Sequence, residues 1–154
     1  MSIHLKRAQL SDAEALHRMQ VAAFLPLFNK YHDTAISPAC ETVPRVREKI
    51  AGSHYYFIMD GPAVVGGIRV IDHKDGVRPK VISPLFILTE HQNQGYAQRA
   101  IREVERLHGE HHWRLDTILE EPGNCHLYEK LGYRRIGEPQ PVRPNMTIID
   151  YEKE

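Results

Sequence analysis

A short polar loop between a buried strand and an amphipathic helix constrains the fold of this chain more than any other feature. Residues 85–88 are continuously apolar, as in a buried strand. After the loop, apolar side chains recur at helical spacing, at Ala97, Ala100, Ile101, Val104 and Leu107. The loop itself, Gln92-Asn93-Gln94-Gly95-Tyr96-Ala97, leads into a helix N-terminus, whose unpaired backbone N–H groups bind anions. The pattern predicts either a phosphate site or a plain structural turn at Gly95.

The length and charge of the chain narrow the classes of function. A chain of 154 residues builds one sizeable core, so we expect a single domain over residues 1–154. Lysine and arginine together number 20, as do aspartate and glutamate, so no overall charge favours nucleic acid or an anionic membrane. No apolar run approaches the ~20 residues that span a bilayer, and residues 1–10 lack a signal-peptide core. We expect a cytoplasmic protein with no nucleic-acid or membrane partner.

The cysteines and histidines form no recognisable metal or disulfide pattern. Cys40 and Cys125 are too few for a disulfide framework. Cys125 lies in the first turn of a predicted helix, where a thiolate is favoured, but a small buried residue is the preferred interpretation because no histidine partner is fixed. Gly109 is expected to end a helix, so that His108 and His112 do not lie on one helical face as a metal-binding pair would. We interpret both histidines as solvated surface residues. No metal is expected.

Hydrophobic periodicity and turn signals predict the remaining elements. Residues 3–7 alternate as a strand, and a capping box at 11–14 starts a helix to about Phe28 that Pro26 kinks or ends. A second helix covers 41–51, and short turns join antiparallel strands at 54–59, at 63–72 and up to Leu88. Helices at 96–108 and 124–131 flank a strand at 113–119 that pairs in parallel with the preceding strand. Strands at 134–137 and 146–152 follow, joined by a proline-rich link.

A second segment, Asn124-Cys125-His126-Leu127-Tyr128-Glu129-Lys130-Leu131-Gly132-Tyr133, joins the loop in a family pattern. The two segments together resemble the GNAT N-acetyltransferase superfamily, whose acyl-CoA loop reads Gln/Arg-x-x-Gly-x-Gly/Ala. The later helix of that superfamily commonly reads Asn, then Leu-Tyr-Glu-Lys-Leu-Gly-Phe/Tyr. The resemblance implies an α+β (mixed α/β) fold with a central, twisted, mostly antiparallel sheet. One parallel pair of its strands is splayed, and about four helices flank the sheet.

The resemblance also implies which residues hold acetyl-CoA as a co-substrate. Its diphosphate is expected on the loop residues Gln92, Asn93, Gln94, Gly95, Tyr96 and Ala97. Leu85 and Ile87 match strand residues whose backbone pairs with the pantetheine arm, and the Leu85 N–H is expected to polarise the thioester carbonyl. Pro84 before them marks either a bulge that splays the strand or the start of a simple edge strand. Asn93 and Ala97 stand where many members have glycine.

Tyr128 matches the catalytic tyrosine of the superfamily. A phenol of pKa near ~10 is protonated at neutral pH and is able to donate a proton to a departing thiolate of pKa near ~8.5. The alternative is an aromatic side chain that only packs beside Leu127 and Leu131. Asn124 is expected to cap the helix and to contact the cofactor arm.

The base and the acceptor site are less defined. Many relatives carry a glutamate in the strand before the cofactor-pairing residues, but residues 77–84 hold no carboxylate. Glu120 or Glu121 is the next candidate base, followed by Asp72 and His73, and each is also readily explained as a solvated residue at a strand end. Residues expected near the acceptor follow from their place between the first two helices: Phe24, Phe28, Tyr31, His32, Asp33 and Glu41. A helix end with an ordinary polar loop is the alternative there.

These observations lead to two main hypotheses of function. The first is an N-acetyltransferase that moves the acetyl group of acetyl-CoA to a small-molecule or peptide amine by direct attack. Exposed sheet edges are compatible with a homodimer, and the sequence leaves the choice between monomer and homodimer open. The second is a non-catalytic acyl-CoA-binding sensor or assembly module. A Rossmann-type nucleotide site is a weaker third hypothesis, because the loop lacks the first glycine and no acidic residue follows at the required spacing.

Overall fold

The computed structural model describes residues 3–154, whose strands form one seven-stranded sheet. Its spatial order is β1-β2-β3-β4-β5-β7-β6. The strands are β1 (Ile3–Arg7), β2 (His54–Asp60), β3 (Ala63–Ile71), β4 (Lys80–Ile87), β5 (Trp113–Ile118), β6 (Arg134–Arg143) and β7 (Met146–Lys153). Every neighbouring pair is antiparallel except β4 and β5, which are parallel. The predicted fold class is therefore confirmed.

The parallel pair is joined only at one end. Lys80 pairs with Trp113 and Val81 pairs with Arg114, and β4 and β5 pair at no later residue within the described chain. The register of β3 against β4 shifts between Ile68 and Val70, where a single residue of β3 faces both Ser83 and Pro84, so the bulge lies in β4 just beyond the point where the pair opens. The Ser83–Pro84 peptide bond within β4 is cis. From Ile82 onward, the β5-facing edge of β4 therefore borders a gap in the sheet.

In residues 3–154, four α-helices cover the two faces of the sheet. They are α1 (Ala13–Tyr31), α2 (Val43–Gly52), α3 (Tyr96–His108) and α4 (Pro122–Lys130). The first two helices share a core with alternate residues of β2, including Tyr55, Phe57 and Met59. The helices α3 and α4 cover the opposite face, in a larger core that contains Trp113, Tyr128, Tyr133 and Tyr151. No helix in residues 3–154 is both long and apolar enough to cross a membrane.

Several local predictions about helix ends are wrong, and the two that concern helix starts have a local cause. The Asp12 carboxylate accepts from the Gln9 N–H, so the cap lies earlier than the predicted box at 11–14 and a short 3-10 turn precedes α1. The helix α1 continues past Pro26 to Tyr31. Pro122 begins α4, because a proline at the first helical position loses no intrahelical hydrogen bond. Asn124 consequently lies inside the first turn and is not the helix cap.

The proline-rich segment is a strand and not a link. Residues of β6 pair with β7 on both sides of Pro139, including Pro141 opposite Thr147. Prolines are tolerated here because β6 lies at the edge of the sheet, where an outward-facing position has no partner for an N–H. Irregular register between Ile136 and Gln140 accommodates Gly137, whose φ is +70°.

Candidate functional site

A cleft of about 650 Å³ lies where β4 and β5 separate. Its walls come from α1, β4, the loop into α3 and α4. It brings together most of the residues that the sequence nominates: Leu85, Ile87, Gln92, Asn93, Gly95, Tyr96, Ala97, Glu121, Asn124 and Tyr128. Gln94 and Glu120, which the sequence also nominates, do not line it. A cleft of this size is typical of small-molecule and cofactor sites.

The loop at one end of the cleft presents free backbone donors. Asn93 and Gly95 adopt positive φ values of +63° and +82°, and Gly95 directly precedes α3. The left-handed turn suits glycine, which has no Cβ to clash there. Across residues 3–154, no backbone or side-chain acceptor is bonded to the N–H groups of residues 93–98. The loop therefore ends in a set of unsatisfied donors at a helix N-terminus, which is an anion-binding arrangement.

Side chains around the loop fix its shape. The Gln92 side-chain amide donates to the Ile87 carbonyl over 3.1 Å and ties the loop back to β4. The Tyr96 hydroxyl donates to Asp60 over 2.5 Å, so the first turn of α3 is fastened to the end of β2. The hydrogen bond to Asp60 raises the pKa of the Tyr96 phenol. Tyr96 thus contributes to the cleft while its hydroxyl has a structural role.

The backbone of β4 alternates between β3 and the cleft. The Leu88 N–H donates to the Val65 carbonyl of β3 over 2.8 Å. Because backbone polar groups alternate along a strand, Phe86 also faces β3, whereas Leu85 and Ile87 present their N–H groups to the opposite side. The hydrogen bond from Gln92 to the Ile87 carbonyl agrees with this direction. Leu85 and Ile87 therefore offer unpaired N–H groups along the open edge of β4.

The Tyr128 ring lies beneath the cleft with its hydroxyl available. The ring packs against Tyr133 and Tyr151, with centroid separations of 6.3 and 5.9 Å. Burial is the main cause that raises the pKa of the Tyr128 phenol, so the group is protonated at neutral pH. Within the described residues, the Tyr128 hydroxyl forms no hydrogen bond to the protein. The hydroxyl is also not among the polar atoms that are shut off from solvent. It is therefore a proton donor that faces the cleft without a fixed partner.

The two nominated glutamates have different surroundings. Glu120 accepts from the Thr147 N–H and hydroxyl, over 2.7 and 2.8 Å, and so joins the end of β5 to β7. Glu121 lines the cleft and accepts from Lys30 over 2.7 Å and from Tyr31 over 2.5 Å. Burial alone pushes the pKa of Glu121 upward, but these two hydrogen bonds outweigh it and the pKa is lowered. Among the described residues, Glu121 is the only carboxylate that lines the cleft.

The residues nominated for the acceptor separate into two groups. Phe24 lines the cleft, together with its neighbours Ala23 and Leu27 on α1. Tyr31 is buried and reaches Glu121, but Glu41 points away, toward Gln20 and Lys49. Glu41 is therefore part of the connection between α1 and α2. The cleft-lining role of Ala23 and Leu27 was not predicted, because their helical spacing is equally typical of a core face.

Asp72 and His108 lie at the other end of the sheet from the cleft loop. His108 Nδ1 is 2.8 Å from the Asp72 carboxylate, and its Nε2 is 2.9 Å from the Tyr56 hydroxyl. Asp72 is thus not a base for the cleft, and His108 is mostly buried, which contradicts its interpretation as a solvated residue. Cys125 is buried, as predicted, and no group of three potential metal ligands occurs in residues 3–154.

Several solved acetyltransferases share this fold at low sequence identity. The spermidine N-acetyltransferase of Vibrio cholerae, in complex with CoA and spermine, has a TM-score of 0.74 at 18% identity, over 97% of this chain and 93% of that chain. An acetyltransferase from Thermus thermophilus has a TM-score of 0.67 at 17% identity, over 97% and 96% of the two chains. The IAA acetyltransferase of Bacillus cereus has a TM-score of 0.67 at 14% identity, over 99% and 100%. These three structures therefore share the fold of this chain.

The family follows from the sequence itself. The model of the acetyltransferase (GNAT) family matches residues 14–133, which include the cleft loop and Tyr128. The chain belongs to the acetyltransferase (GNAT) family, and the resemblance found from the two motifs is confirmed. At the level of the family, this assigns acetyl transfer with acetyl-CoA as the donor. A search of curated proteins gives no match to the chain.

Proposed function

We propose that this protein transfers the acetyl group of acetyl-CoA to a primary amine by direct attack, with Tyr128 as general acid. The observation that carries the proposal is the Tyr128 hydroxyl, which faces the cleft and has no fixed partner within residues 3–154. A direct transfer needs no nucleophilic side chain, and the one buried thiol, Cys125, is not among the cleft-lining residues. The family match supports acetyl transfer in general.

The loop and β4 would hold the two ends of the donor. The free N–H groups of residues 93–98 suit the diphosphate of acetyl-CoA, with the positive end of the α3 dipole behind them. The free N–H groups of Leu85 and Ile87 suit the amide-rich pantetheine arm, which would add to the open edge as a further strand. The Leu85 N–H would then donate to the thioester oxygen, where negative charge develops during attack. Asn124 lies beside this track.

Tyr128 would act after the amine has attacked. As the tetrahedral intermediate collapses, the C–S bond breaks and the sulfur takes the electron pair. A thiol of pKa near ~8.5 leaves more easily if a neighbouring acid protonates the sulfur as the bond breaks. The buried phenol is fully protonated and held by Tyr133 and Tyr151.

Glu121 would receive the acceptor. Its carboxylate is the only one in the described part of the cleft wall, and its lowered pKa keeps it charged at neutral pH. A charged carboxylate attracts a cationic amine, and the Vibrio cholerae relative in its complex with spermine acts on spermidine, a cationic amine. The same carboxylate is the better placed of the two candidate bases, because Glu121 lines the cleft and Glu120 does not. We also propose that residues 1–154 act as one domain, in the cytoplasm, and form a homodimer.

The proposal is tested by following release of the CoA thiol from acetyl-CoA with a panel of small-molecule and peptide amines. Tyr128→Phe should lower kcat by about 100-fold or more, the usual contribution of a general acid, with little change in acetyl-CoA affinity. The matched control is Tyr133→Phe, whose hydroxyl bonds to Glu105 outside the cleft and whose removal should leave kcat nearly unchanged. Glu121→Gln should raise KM for cationic amines in the same assay.

Two results would contradict the proposal. An unchanged kcat in Tyr128→Phe would remove Tyr128 from the chemistry. Tight acetyl-CoA binding without thiol release for any amine in the panel would favour a non-catalytic acyl-CoA-binding module instead.

A further inference from the structure

A second cavity, also about 650 Å³ in volume, lies away from the cleft. It is formed where the β3–β4 loop meets the C-terminal end of α3, whereas the cleft loop meets the N-terminal end of α3. The helix has 13 residues, so at a rise of ~1.5 Å per residue its ends are roughly 18 Å apart. The two cavities share no lining residue.

The walls of this cavity are rich in cations. Lys74, Arg78 and Lys80 contribute their side chains, together with His54 and His112. In the described part of the chain, the only carboxylate among the lining residues is that of Asp72. Both oxygens of Asp72 are already engaged, one by His108 Nδ1 over 2.8 Å and the other by the Lys74 N–H over 2.9 Å. We call this cavity, lined by His54, Asp72, Lys74, Arg78, Lys80 and His112 among others, the basic cavity.

The cationic groups of the basic cavity are incompletely neutralised. Lys80 Nζ donates to the His111 carbonyl over 2.7 Å and lies 5.2 Å from the centroid of the Trp113 ring, so both of these partners are uncharged. Within residues 3–154, Lys74 forms no salt bridge. Arg78 is paired with Asp75 through Nε, at 2.7 Å, which leaves its terminal nitrogens outside that bond. Asp75 itself does not line the cavity.

The state of His54 supports a positive potential in the basic cavity. Arg7 Nη1 is 3.0 Å from His54 Nδ1, so this ring nitrogen accepts and cannot carry a proton while the contact holds. The pKa of His54 is lowered, first by burial and then by repulsion from Arg7, His108 and Lys74. Burial disfavours a charge of either sign, whereas the repulsion from Arg7 and Lys74 is the part of this shift that favours a negative charge in the cavity.

We propose that the basic cavity binds a phosphate group, as a ligand site separate from the acetyl-transfer cleft. Lys74 and Lys80 supply uncompensated charge, and Arg78 supplies directional N–H donors that match phosphate oxygens. The Tyr56 and Leu107 side chains form part of the wall, so the cavity also accommodates an organic portion attached to the phosphate. Its volume lies within the range of known metabolite sites.

The test separates this cavity from the cleft loop, which also binds phosphate under the proposed function. Pyrophosphate is titrated calorimetrically into protein saturated with acetyl-CoA, so that the cleft loop is occupied. The expected result is one binding site whose affinity falls as salt concentration rises. Lys74→Gln with Lys80→Gln should weaken pyrophosphate binding by about ten-fold or more and leave acetyl-CoA binding unchanged. Lys6→Gln with Lys130→Gln is the matched control, because both lysines are exposed and line neither cavity.

Lys80 lies at the junction of β4 and β5, so Lys74→Gln alone serves if the double variant does not fold. This single variant should weaken binding by about three-fold or more. An NMR titration provides a second readout, since a bound anion should raise the pKa of His54. Titrations with inorganic phosphate and with AMP are compared to identify the kind of phosphate ligand. AMP should bind more tightly than inorganic phosphate only if the cavity takes a nucleotide. Absence of pyrophosphate binding with acetyl-CoA bound, or equal binding by the cavity and control variants, would overturn the proposal.

Discussion

At the residue scale, two adjacent glycines of β3 meet the same phenylalanine in different ways. A Cβ on Gly67 would lie 2.7 Å from two carbons of the Phe86 ring, whereas a Cβ on Gly66 would lie 2.1 Å from the Phe86 carbonyl oxygen. Phe86 packs edge-on against Phe24, with ring centroids 5.9 Å apart, and both rings line the cleft. Because Gly67 has no side chain, the Phe86 ring has room to lie against β3 and to form part of the cleft wall.

We expect Gly67→Ala to lower the free energy of unfolding by about 1–3 kcal/mol, the usual cost of overpacking, and to weaken acetyl-CoA binding. Gly66→Ala should cost more, because a backbone oxygen yields less readily than a ring. Urea denaturation and calorimetric titration measure the two effects. Gly52→Ala is the control, since nothing lies within 4 Å of its added Cβ, and it should change stability by less than about 1 kcal/mol. Equal losses in all three variants would disprove the steric explanation.

Single residues of the site were predictable where one local pattern defines them. Gly95 has the positive φ that its place in the loop indicated, and Tyr128 lines the cleft. His108 was not predictable, because its partner Asp72 lies 36 residues earlier and meets it only through the packing of α3 on the sheet. A sequence records that a histidine ends a helix but gives no sign of a carboxylate that folds beside it.

At the element scale, one buried ion pair fixes the connection between α1 and α2. Glu41 accepts from Gln20 of α1 over 2.8 Å and forms a salt bridge with Lys49 of α2. The side chains of Lys49 and Glu41 are only 9% and 20% exposed. Burial lowers the pKa of Lys49, and the hydrogen bond and charge of Glu41 oppose this effect. Glu41 thus joins α1 to the last turn of α2.

Glu41→Ala should lower the free energy of unfolding by about 3 kcal/mol, because it leaves the Lys49 ammonium buried without a partner. The double variant Glu41→Leu with Lys49→Met should recover most of this loss, since it removes both charges. Urea denaturation of the single and double variants gives the coupling between the two positions. The exposed pair of Arg45 with Glu48 is the control, and Arg45→Ala should change stability by less than about 1 kcal/mol. A double variant less stable than Glu41→Ala would refute the buried-charge explanation.

The order of elements was predictable, but some of their limits were not. Periodicity gave α3 its correct bounds, at residues 96–108, because glycines precede and follow it. The strand β6 was cut short at residue 137, because prolines usually exclude a strand. Its edge position, which removes that objection, is a property of the sheet and not of the segment.

At the scale of the whole molecule, the sheet consists of two parts that meet at β4 and β5. Within residues 3–154, only two residue pairs connect these strands, both at the end remote from the cleft loop. The helices α3 and α4 connect the parts through their shared core. The cleft therefore occupies the place where further hydrogen bonds between β4 and β5 would otherwise form.

Amide hydrogen exchange should reveal this gap residue by residue. In the free protein, the Leu85 and Ile87 amides should exchange faster than those of Phe86 and Leu88, which face β3. Saturating acetyl-CoA should slow exchange at Leu85 and Ile87 by about ten-fold or more, while Ile68 and Val70, in β3, show only the general gain from ligand binding. Two-dimensional NMR resolves the individual amides. Uniform slowing along β4 would argue against pairing of the ligand with the strand.

The open edge of β4 also makes the ligand a component of the folding equilibrium. A strand with unpaired backbone groups attracts other strands, including those of neighbouring molecules, when nothing occupies it. A ligand that binds in the gap covers the edge of β4. Because the ligand binds only the folded protein, it also increases the folded fraction by mass action. The amount of intact protein in a cell would then rise and fall with the supply of acyl-CoA, which would thus set enzyme abundance as well as enzyme turnover.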